Sequence, residues 1–200
     1  MWRLGPDWSD ERGLAEVWRM AQPFPHLVFD AFVAEAALPA LLAVLEEEPV
    51  ERCESDLFAF EASAPEPTTE EFRALRTSFA AVLAPPLSRI TGKTVRRADM
   101  RAYAYRVGHY LLPHSDNQLG DERVLAFAYY LPSPEVPVGG ELELFRCAVD
   151  GGEIVATESA TLIEPRANRL VVFDVSKVTL HQVREVLGGL RISLAGWFYA

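Results

Sequence analysis

Residues 169–199, RLVVFDVSKVTLHQVREVLGGLRISLAGWFY, decide the fold class because they consist of short apolar runs separated by turn residues. The runs at 169–173, 180–187 and 190–199 are rich in Val, Leu, Ile and Phe, and a Gly-Gly pair separates the last two. Runs of this length and composition are typical of β-strands. The C-terminal stretch therefore predicts three closely spaced strands.

The same pattern extends upstream and ends near residue 95. Four further runs have strand character: 98–107, 123–131, 141–147 and 153–163. Seven strands without intervening helices indicate a β-sandwich, a jelly roll or a barrel.

The region before residue 95 has helical rather than strand periodicity. Leucines between 38 and 45 recur at helical spacing, and a second apolar face begins at Phe72 and is predicted to stop at Pro85-Pro86. The acidic, proline-bearing segment 49–67 is interpreted as a connection between the two helices. We therefore predict a mainly β protein with N-terminal helices packed on its outside.

Length and composition favour one folding unit. The chain has 200 residues, of which 50% are hydrophobic, and no repeat or long low-complexity tract interrupts it. We predict a single domain over 1–200, with helical support at about 30–92 and a β core at about 95–200.

Charge and targeting signals exclude several function classes. With 19 basic and 29 acidic residues the net charge is −10, which would repel a phosphate backbone, so we expect no nucleic-acid partner. No apolar run reaches the roughly 20 residues that span a bilayer, and residues 1–7 lack a signal-peptide core. Cys53 and Cys147 form no CxxC pattern. We expect a cytoplasmic protein without a membrane partner.

One short pattern, His114-Ser115-Asp116, carries the candidate chemistry. In an extended chain residues i and i+2 face the same side, so His114 and Asp116 can offer ligands to one cation. His181, at the start of another predicted strand, is the candidate third ligand. Two imidazoles and one carboxylate suit non-haem Fe(II). The alternative is that both histidines are hydrogen-bonded structural residues.

Arg191 is unusual because it lies in a strongly apolar predicted strand. Either it points to solvent, or it is buried and binds an anion. Ser193 shares its face and could donate a second hydrogen bond to the same carboxylate.

Four separated segments carry a family resemblance. YRVGHYLLPHSD at 105–116, RLVVFDVS at 169–176, HQVREV at 181–186 and RISLAGWF at 191–198 resemble, in this order, conserved segments of the Fe(II)/2-oxoglutarate-dependent oxygenases. The prolyl-hydroxylase branch is the most similar, in particular the prolyl hydroxylases that act on a ribosomal protein.

This resemblance implies a double-stranded β-helix, or jelly roll, with Fe(II) held by the catalytic residues His114, Asp116 and His181. It implies that Arg191 binds the far carboxylate of 2-oxoglutarate and that Tyr105 and Tyr130 hydrogen-bond this cosubstrate. It further implies O2 as a reactant, decarboxylation of 2-oxoglutarate to succinate, support of activity by ascorbate, and hydroxylation of a prolyl or other amino-acid side chain, free or peptidyl.

Several alternatives remain open at this point. A cupin-like module could bind a metal or ligand without oxidising anything, although such a carrier has no need of a buried Arg191. The same machinery could also desaturate, cyclise or demethylate its substrate, and the oligomeric state is not readable. Strand tyrosines more often fill a core than bind a ligand. Loops 49–67 and 132–140 are expected to line the substrate pocket.

Four arginines precede the His-x-Asp pattern: Arg96, Arg97, Arg101 and Arg106. They are typical of a solvated strand edge. The alternative is that they steer an acidic substrate toward the site.

The sequence of the last two predicted strands also predicts how the chain connects them at Gly188-Gly189. If Gly188-Gly189 were a two-residue hairpin loop, Leu187 would pair with Leu190, and His181 and Arg191 would lie on opposite faces. We therefore predict that the chain crosses between sheets here, or forms a bulge, so that both side chains point inward.

Overall fold

The computed structural model describes residue 2, residues 5–117 and residues 122–200. These described residues contain three α-helices, α1 (Glu11–Met20), α2 (Leu38–Glu47) and α3 (Glu70–Thr91), with short 3-10 turns at Pro6–Ser9 and Glu35–Ala37. The strands are β1 (His26–Phe29), β2 (Val50–Ser55), β3 (Phe58–Ser63), β4 (Arg97–Ala98), β5 (Arg101–Tyr105), β6 (Tyr110–His114), β7 (Arg123–Leu131), β8 (Val138–Gly139), β9 (Leu142–Asp150), β10 (Glu153–Ile163), β11 (Arg169–Asp174), β12 (His181–Val183), β13 (Val186–Gly188) and β14 (Arg191–Tyr199). None of the helices in these ranges is long and apolar enough to cross a membrane.

The strands form one large antiparallel sheet in the order β1-β11-β7-β14-β5-β3-β6-β12-β9-β10, with β2 beside β3 and β4 beside β14. β8 and β13 form a separate pair. Side chains of β5, β7 and β14 line the same cavity as side chains of β6 and β12, so the sheet curls around that cavity. All seven predicted runs contain β structure, which confirms the mainly β class.

β7 is buried on both of its faces, and its alternating side chains separate two parts of the core. Phe127 and Tyr129 belong to the cluster that includes the helices, whereas Ala126, Ala128 and Tyr130 point to the other side. This alternation is the period of two that a strand imposes. One face of the strand therefore supports the helices and the other faces the cavity.

Helix α3 packs on the outer face of the sheet. The ring of Phe79 lies 4.8 Å from that of Phe127 and 5.7 Å from that of Phe198, measured between centroids. The predicted position of the helices outside the β core is confirmed.

The predicted stop of this helix at Pro85-Pro86 is wrong. Leu87 and Ile90, one turn further, are 0% and 3% exposed. Burial of two such side chains contributes about 3–6 kcal/mol, which is comparable to the cost of the two interior prolines at roughly 3 kcal/mol each. The helix ends instead at Gly92, whose φ of 73° is left-handed.

The interpretation of segment 49–67 as a connection between two helices is also wrong, because the segment contains the β2–β3 hairpin. β3 pairs with β5 and β6, so it enters the main sheet between them. This placement depends on strands whose paired residues come 43 and 53 positions later in the chain, as in Glu61–Ala104 and Phe58–Leu111. Local composition alone did not indicate it.

The predicted departure from a hairpin at Gly188-Gly189 is confirmed. β12 pairs with β6 and β9, β13 pairs with β8, and β14 pairs with β4, β5 and β7. His181 and Arg191 are 5% and 3% exposed, and both line the cavity.

Gly196 lies where β14 approaches the backbone at Asp99, and its replacement by alanine is expected to destabilise the fold. An added Cβ would lie 2.6 Å from the carbonyl oxygen of Asp99, so the backbone must shift. We expect a loss of about 1–3 kcal/mol in the free energy of unfolding, measured by urea titration. Gly188→Ala is the matched control, because its Cβ would meet only the Val138 side chain at 3.5 Å. Equal stability of the two variants would contradict the close contact.

Candidate active site

The cavity inside the curled sheet measures about 440 Å³ and opens to the surface. Its floor is formed by β14, where Arg191, Ser193, Ala195 and Trp197 alternate toward the inside. β5 and β7 flank this floor through the backbone register of the strands. The opposite wall comes from β6 and β12.

His114, Asp116 and His181 meet at this cavity, and one potential ligand atom of each lies within 4.8 Å of the others. Nε2 of His114 is 3.7 Å from Oδ1 of Asp116, and Nε2 of His181 is 3.4 Å from Oδ2 of Asp116. The antiparallel pairing of β12 with β6 places His181 directly opposite His114. The three residues predicted from the His-x-Asp pattern and the distal histidine are therefore brought together.

Backbone hydrogen bonds orient both imidazoles. Nδ1 of His114 lies 2.8 Å from the carbonyl oxygen of Leu112, and Nδ1 of His181 lies 3.1 Å from that of Thr179. Because a carbonyl oxygen only accepts, each Nδ1 carries the proton and donates it. Each Nε2 then has a free lone pair directed at the Asp116 side, which is the arrangement of a metal-binding histidine.

The protonation state of His181 fits the same role. Burial lowers the pKa of this imidazole to about 4, an effect that the nearby Asp116 carboxylate opposes. His181 is therefore neutral at pH 7, and neutral imidazole is the form that coordinates a cation.

Arg191, the first residue of β14, is buried at one end of the cavity floor between two tyrosine rings. Its guanidinium carbon lies 4.6 Å from the ring centroid of Tyr105 and 4.9 Å from that of Tyr130. Nη1 donates to Oγ of Ser193 over 3.5 Å, a long hydrogen bond. All four residues predicted to bind the cosubstrate thus lie side by side.

The cluster formed by Arg191, Ser193, Tyr105 and Tyr130 has unused hydrogen-bonding capacity. Within the described ranges, Arg191 forms no ion pair, and Nε of Arg191 and the hydroxyl of Tyr130 are buried without a partner. Burial raises the pKa of Tyr105, so its phenol keeps its proton and can donate. A buried cation beside free donors requires an anion. The pocket therefore fits a small dicarboxylate, and the neighbouring His-Asp-His donor set fits Fe(II).

The cavity also contains side chains that the sequence did not single out as site residues. Arg101, Arg123 and Trp197 line it, as do Leu57 and Phe58 of the β2–β3 hairpin. The sequence favours a solvated strand edge for Arg101, with steering of an acidic substrate as the alternative, but Arg101 shares strand parity with Tyr105, and this parity is a sequence signal for the cavity face.

The two loops expected to line the substrate pocket behave differently. Segment 49–67 contributes the tip of the β2–β3 hairpin, whereas no residue of 132–140 lines the cavity in the described part of the chain. β8 of that second loop pairs with β13 instead, and Pro134 and Glu135 line a separate depression. The expectation for 132–140 is therefore wrong.

Comparison with known families gives a match that covers half of the chain. The sequence model of the 2OG-Fe(II) oxygenase superfamily matches residues 100–199. These residues include the three clustered metal-ligand candidates and the four candidate cosubstrate residues.

Curated relatives match a longer part of the sequence. The prolyl 3-hydroxylase OGFOD1 of Xenopus laevis is 32% identical over 188 residues, which cover 88% of this chain and 35% of the relative. The chain thus spans about a third of the length of that protein.

Solved structures show the same fold. A prolyl-4-hydroxylase of Pseudomonas putida superposes with a TM-score of 0.68 at 22% identity, covering 93% of this chain and 98% of its own. A Trichoplax adhaerens prolyl hydroxylase in complex with a hypoxia inducible factor peptide gives a TM-score of 0.67 at 15% identity, covering 96% and 90%. These likenesses confirm the predicted jelly-roll architecture.

Proposed function

This chain belongs to the 2OG-Fe(II) oxygenase superfamily, and on that premise we propose that it hydroxylates a prolyl or similar amino-acid side chain with O2 and 2-oxoglutarate. The overall reaction converts a C–H bond of the substrate to C–OH. One oxygen atom of O2 enters the product, and the other enters succinate as 2-oxoglutarate loses CO2.

The observation that carries this proposal is the combination of two features in one cavity. A cluster of two imidazoles and a carboxylate lines the same cavity as a buried arginine without an ion-pair partner among the described residues. A module that only binds a metal would not need the second feature. The combination favours an oxygenase over a cupin-like carrier.

We assign His114, Asp116 and His181 as the ligands of Fe(II), which when bound supplies the site for O2 activation. The Nδ1–carbonyl hydrogen bonds hold the two rings in the required tautomer. The Asp116 carboxylate lowers the net charge of the metal site. With three protein ligands, such an ion would retain open positions and would supply the site of the oxygen chemistry.

We assign Arg191, Ser193, Tyr105 and Tyr130 to 2-oxoglutarate. Arg191 and the two phenols donate charge-assisted hydrogen bonds to the carboxylate far from the metal. Because these groups are buried, the cosubstrate is held in one orientation and water is excluded from the reacting atoms.

The prolyl substrate is proposed from the relatives. The Xenopus protein is named a prolyl 3-hydroxylase and the two solved structures are named prolyl hydroxylases. We retain the predictions of a single domain, a cytoplasmic location, stimulation by ascorbate and no nucleic-acid or membrane partner as parts of the same proposal.

The proposal is tested by succinate formation. The purified chain, Fe(II), ascorbate and 2-oxoglutarate are incubated with proline and prolyl peptides, and succinate and a mass increase of one oxygen are measured. We expect iron-dependent succinate, and hydroxylation of at least one prolyl compound. The same reaction with His114→Ala is the control. Succinate at equal rates in both proteins, or in neither, would reject the oxygenase assignment.

Tyr105→Phe tests the hydroxyl of Tyr105 in cosubstrate binding. Loss of one hydrogen bond to a charged group costs about 1.5–3 kcal/mol, so we expect the KM for 2-oxoglutarate to rise by about tenfold or more. Because the ring is retained, its packing beside Arg191 remains. Steady-state kinetics with varied 2-oxoglutarate measure the effect, and an unchanged KM would leave Tyr105 with a packing role only.

A further inference from the structure

Arg101 lies on the same face of β5 as Tyr103 and Tyr105, and it lines the active-site cavity. Its register partner on β14 is Ala195, two residues before Trp197. Arg101 therefore lies at the Trp197 end of the cavity floor, whereas Arg191 lies at the other end opposite Tyr105.

The guanidinium of Arg101 is held in place but its charge is not neutralised. Nε donates to the carbonyl oxygen of Ser63 over 2.6 Å, and the hydroxyl of Ser63 accepts from the N–H of Ala102. In the described part of the chain no carboxylate lies within ion-pair distance of Arg101, and neither Nη atom has a hydrogen-bond acceptor. The Nη groups are the part of this side chain that remains available to a ligand.

In the proposed function Arg191 binds the carboxylate of 2-oxoglutarate far from the metal, so that carboxylate is not available to Arg101. Arg101 is four residues from Tyr105, so its Cα lies about 13 Å along the strand at roughly 3.3 Å per residue. With carbon–carbon bonds of about 1.5 Å, the five-carbon diacid spans only about 5 Å between its carboxyl carbons. A carboxylate at Arg191 thus leaves Arg101 to a second anion.

The charge of the cavity favours that second anion. Among the described residues that line it, the charged side chains besides Asp116 are three arginines, Arg101, Arg123 and Arg191, in a chain of net charge −10. Arg123 stacks on Trp197, with its guanidinium carbon 3.7 Å from the ring centroid. A cleft in which one sign of charge predominates attracts ligands of the opposite sign.

We propose that the primary substrate carries a carboxylate and that Arg101 binds it at the Trp197 end of the cavity floor. The inference rests on the proposed hydroxylase function and specifies its substrate class. The carboxylate belongs either to a free α-carboxyl group or to an acidic side chain of a peptide. Arg101 therefore determines specificity and has no part in metal binding.

Two pairs of probes distinguish these sources. N-acetylproline is compared with N-acetylproline amide, and acetyl-Pro-Glu-amide with acetyl-Pro-Gln-amide, so that each pair differs by one negative charge. Binding to the Mn(II)- and 2-oxoglutarate-loaded protein is measured by calorimetry, which does not require turnover. We expect at least one acidic probe to bind about tenfold more tightly than its neutral partner.

Arg101→Gln should remove this preference, whereas Arg106→Gln should retain it. Arg106 pairs with Glu61 on the surface, where it is exposed, and does not line the cavity. In the wild-type protein the preference should also shrink with added KCl, because salt screens the interaction, and this measurement holds even if Arg101→Gln fails to fold. Equal affinities within both pairs, no binding of either acidic probe, or a preference retained by a folded Arg101→Gln would overturn the proposal.

The two assays distinguish failure of the proposed function from failure of this inference. Succinate formation by wild type and Arg106→Gln, without charge preference, would reject the carboxylate subsite and leave the oxygenase intact. Charge preference without succinate would support the subsite and reject the oxygenase.

Discussion

Asp116→Ala is expected to abolish iron-dependent succinate formation and to leave the fold intact. The substitution leaves two imidazoles where we assign three ligands, so both metal affinity and turnover should fall. Substitution of groups that only support metal ligands already costs about 10–100-fold, and loss of a ligand itself should cost more than about a hundredfold. Succinate assays and calorimetric titration with Mn(II) measure the two effects.

The fold should survive because Asp116 follows β6 and belongs to none of the hydrophobic clusters. Circular dichroism and thermal melting of the variant check this point. Asp150→Ala, at the exposed end of β9, is the matched control and should retain full activity. Normal Mn(II) affinity in Asp116→Ala would remove this residue from the metal site, and His114→Ala and His181→Ala should behave as Asp116→Ala does.

Arg191→Met is expected to eliminate 2-oxoglutarate binding without loss of stability in the protein free of cosubstrate. Two charge-assisted hydrogen bonds at about 1.5–3 kcal/mol each correspond to a loss of affinity of at least about a hundredfold. In contrast, the buried guanidinium has no carboxylate partner in the described structure, and an apolar side chain of similar length fits between the rings of Tyr105 and Tyr130.

Thermal melting with and without 2-oxoglutarate separates these two effects. Cosubstrate should raise the melting temperature of the wild-type protein but not that of Arg191→Met. Arg146→Met, which removes an exposed arginine paired with Glu158, is the control and should respond like wild type. A variant that melts far below wild type in the absence of 2-oxoglutarate would instead give Arg191 a structural role.

The site was largely predictable because its signals are local. His114 and Asp116 are two residues apart, and strand parity alone puts them on one side of the chain. Arg191 is recognisable from the sequence because a cation in an apolar strand must either reach solvent or bind an anion. The same parity argument excluded a simple hairpin at Gly188-Gly189, and the strand pairing agrees.

The predicted helix stop at Pro85-Pro86 and the predicted connection at 49–67 are wrong because contacts with distant parts of the chain outweigh local preferences there. Pro85 and Pro86 are local helix breakers, but the burial of Leu87 and Ile90 against the sheet offsets their cost. Segment 49–67 is acidic and contains prolines, yet its β2–β3 hairpin is stabilised by pairing with β5 and β6.

The sequence by itself determined the strand-rich class, the identity of the clustered histidines and carboxylate, and the presence of a cation in the last strand, because residue type and the period of two are local properties. Strand parity with Tyr105 distinguishes Arg101 from Arg106, but only the tertiary structure decided that Arg101, rather than Arg97 of the same parity, faces the cavity. Arg101 does so because β5 pairs with β14 and β3 in a defined register, whereas Arg106 forms an ion pair outside. Register between strands far apart in the chain depends on the packing of the whole sheet, and no local pattern encodes it.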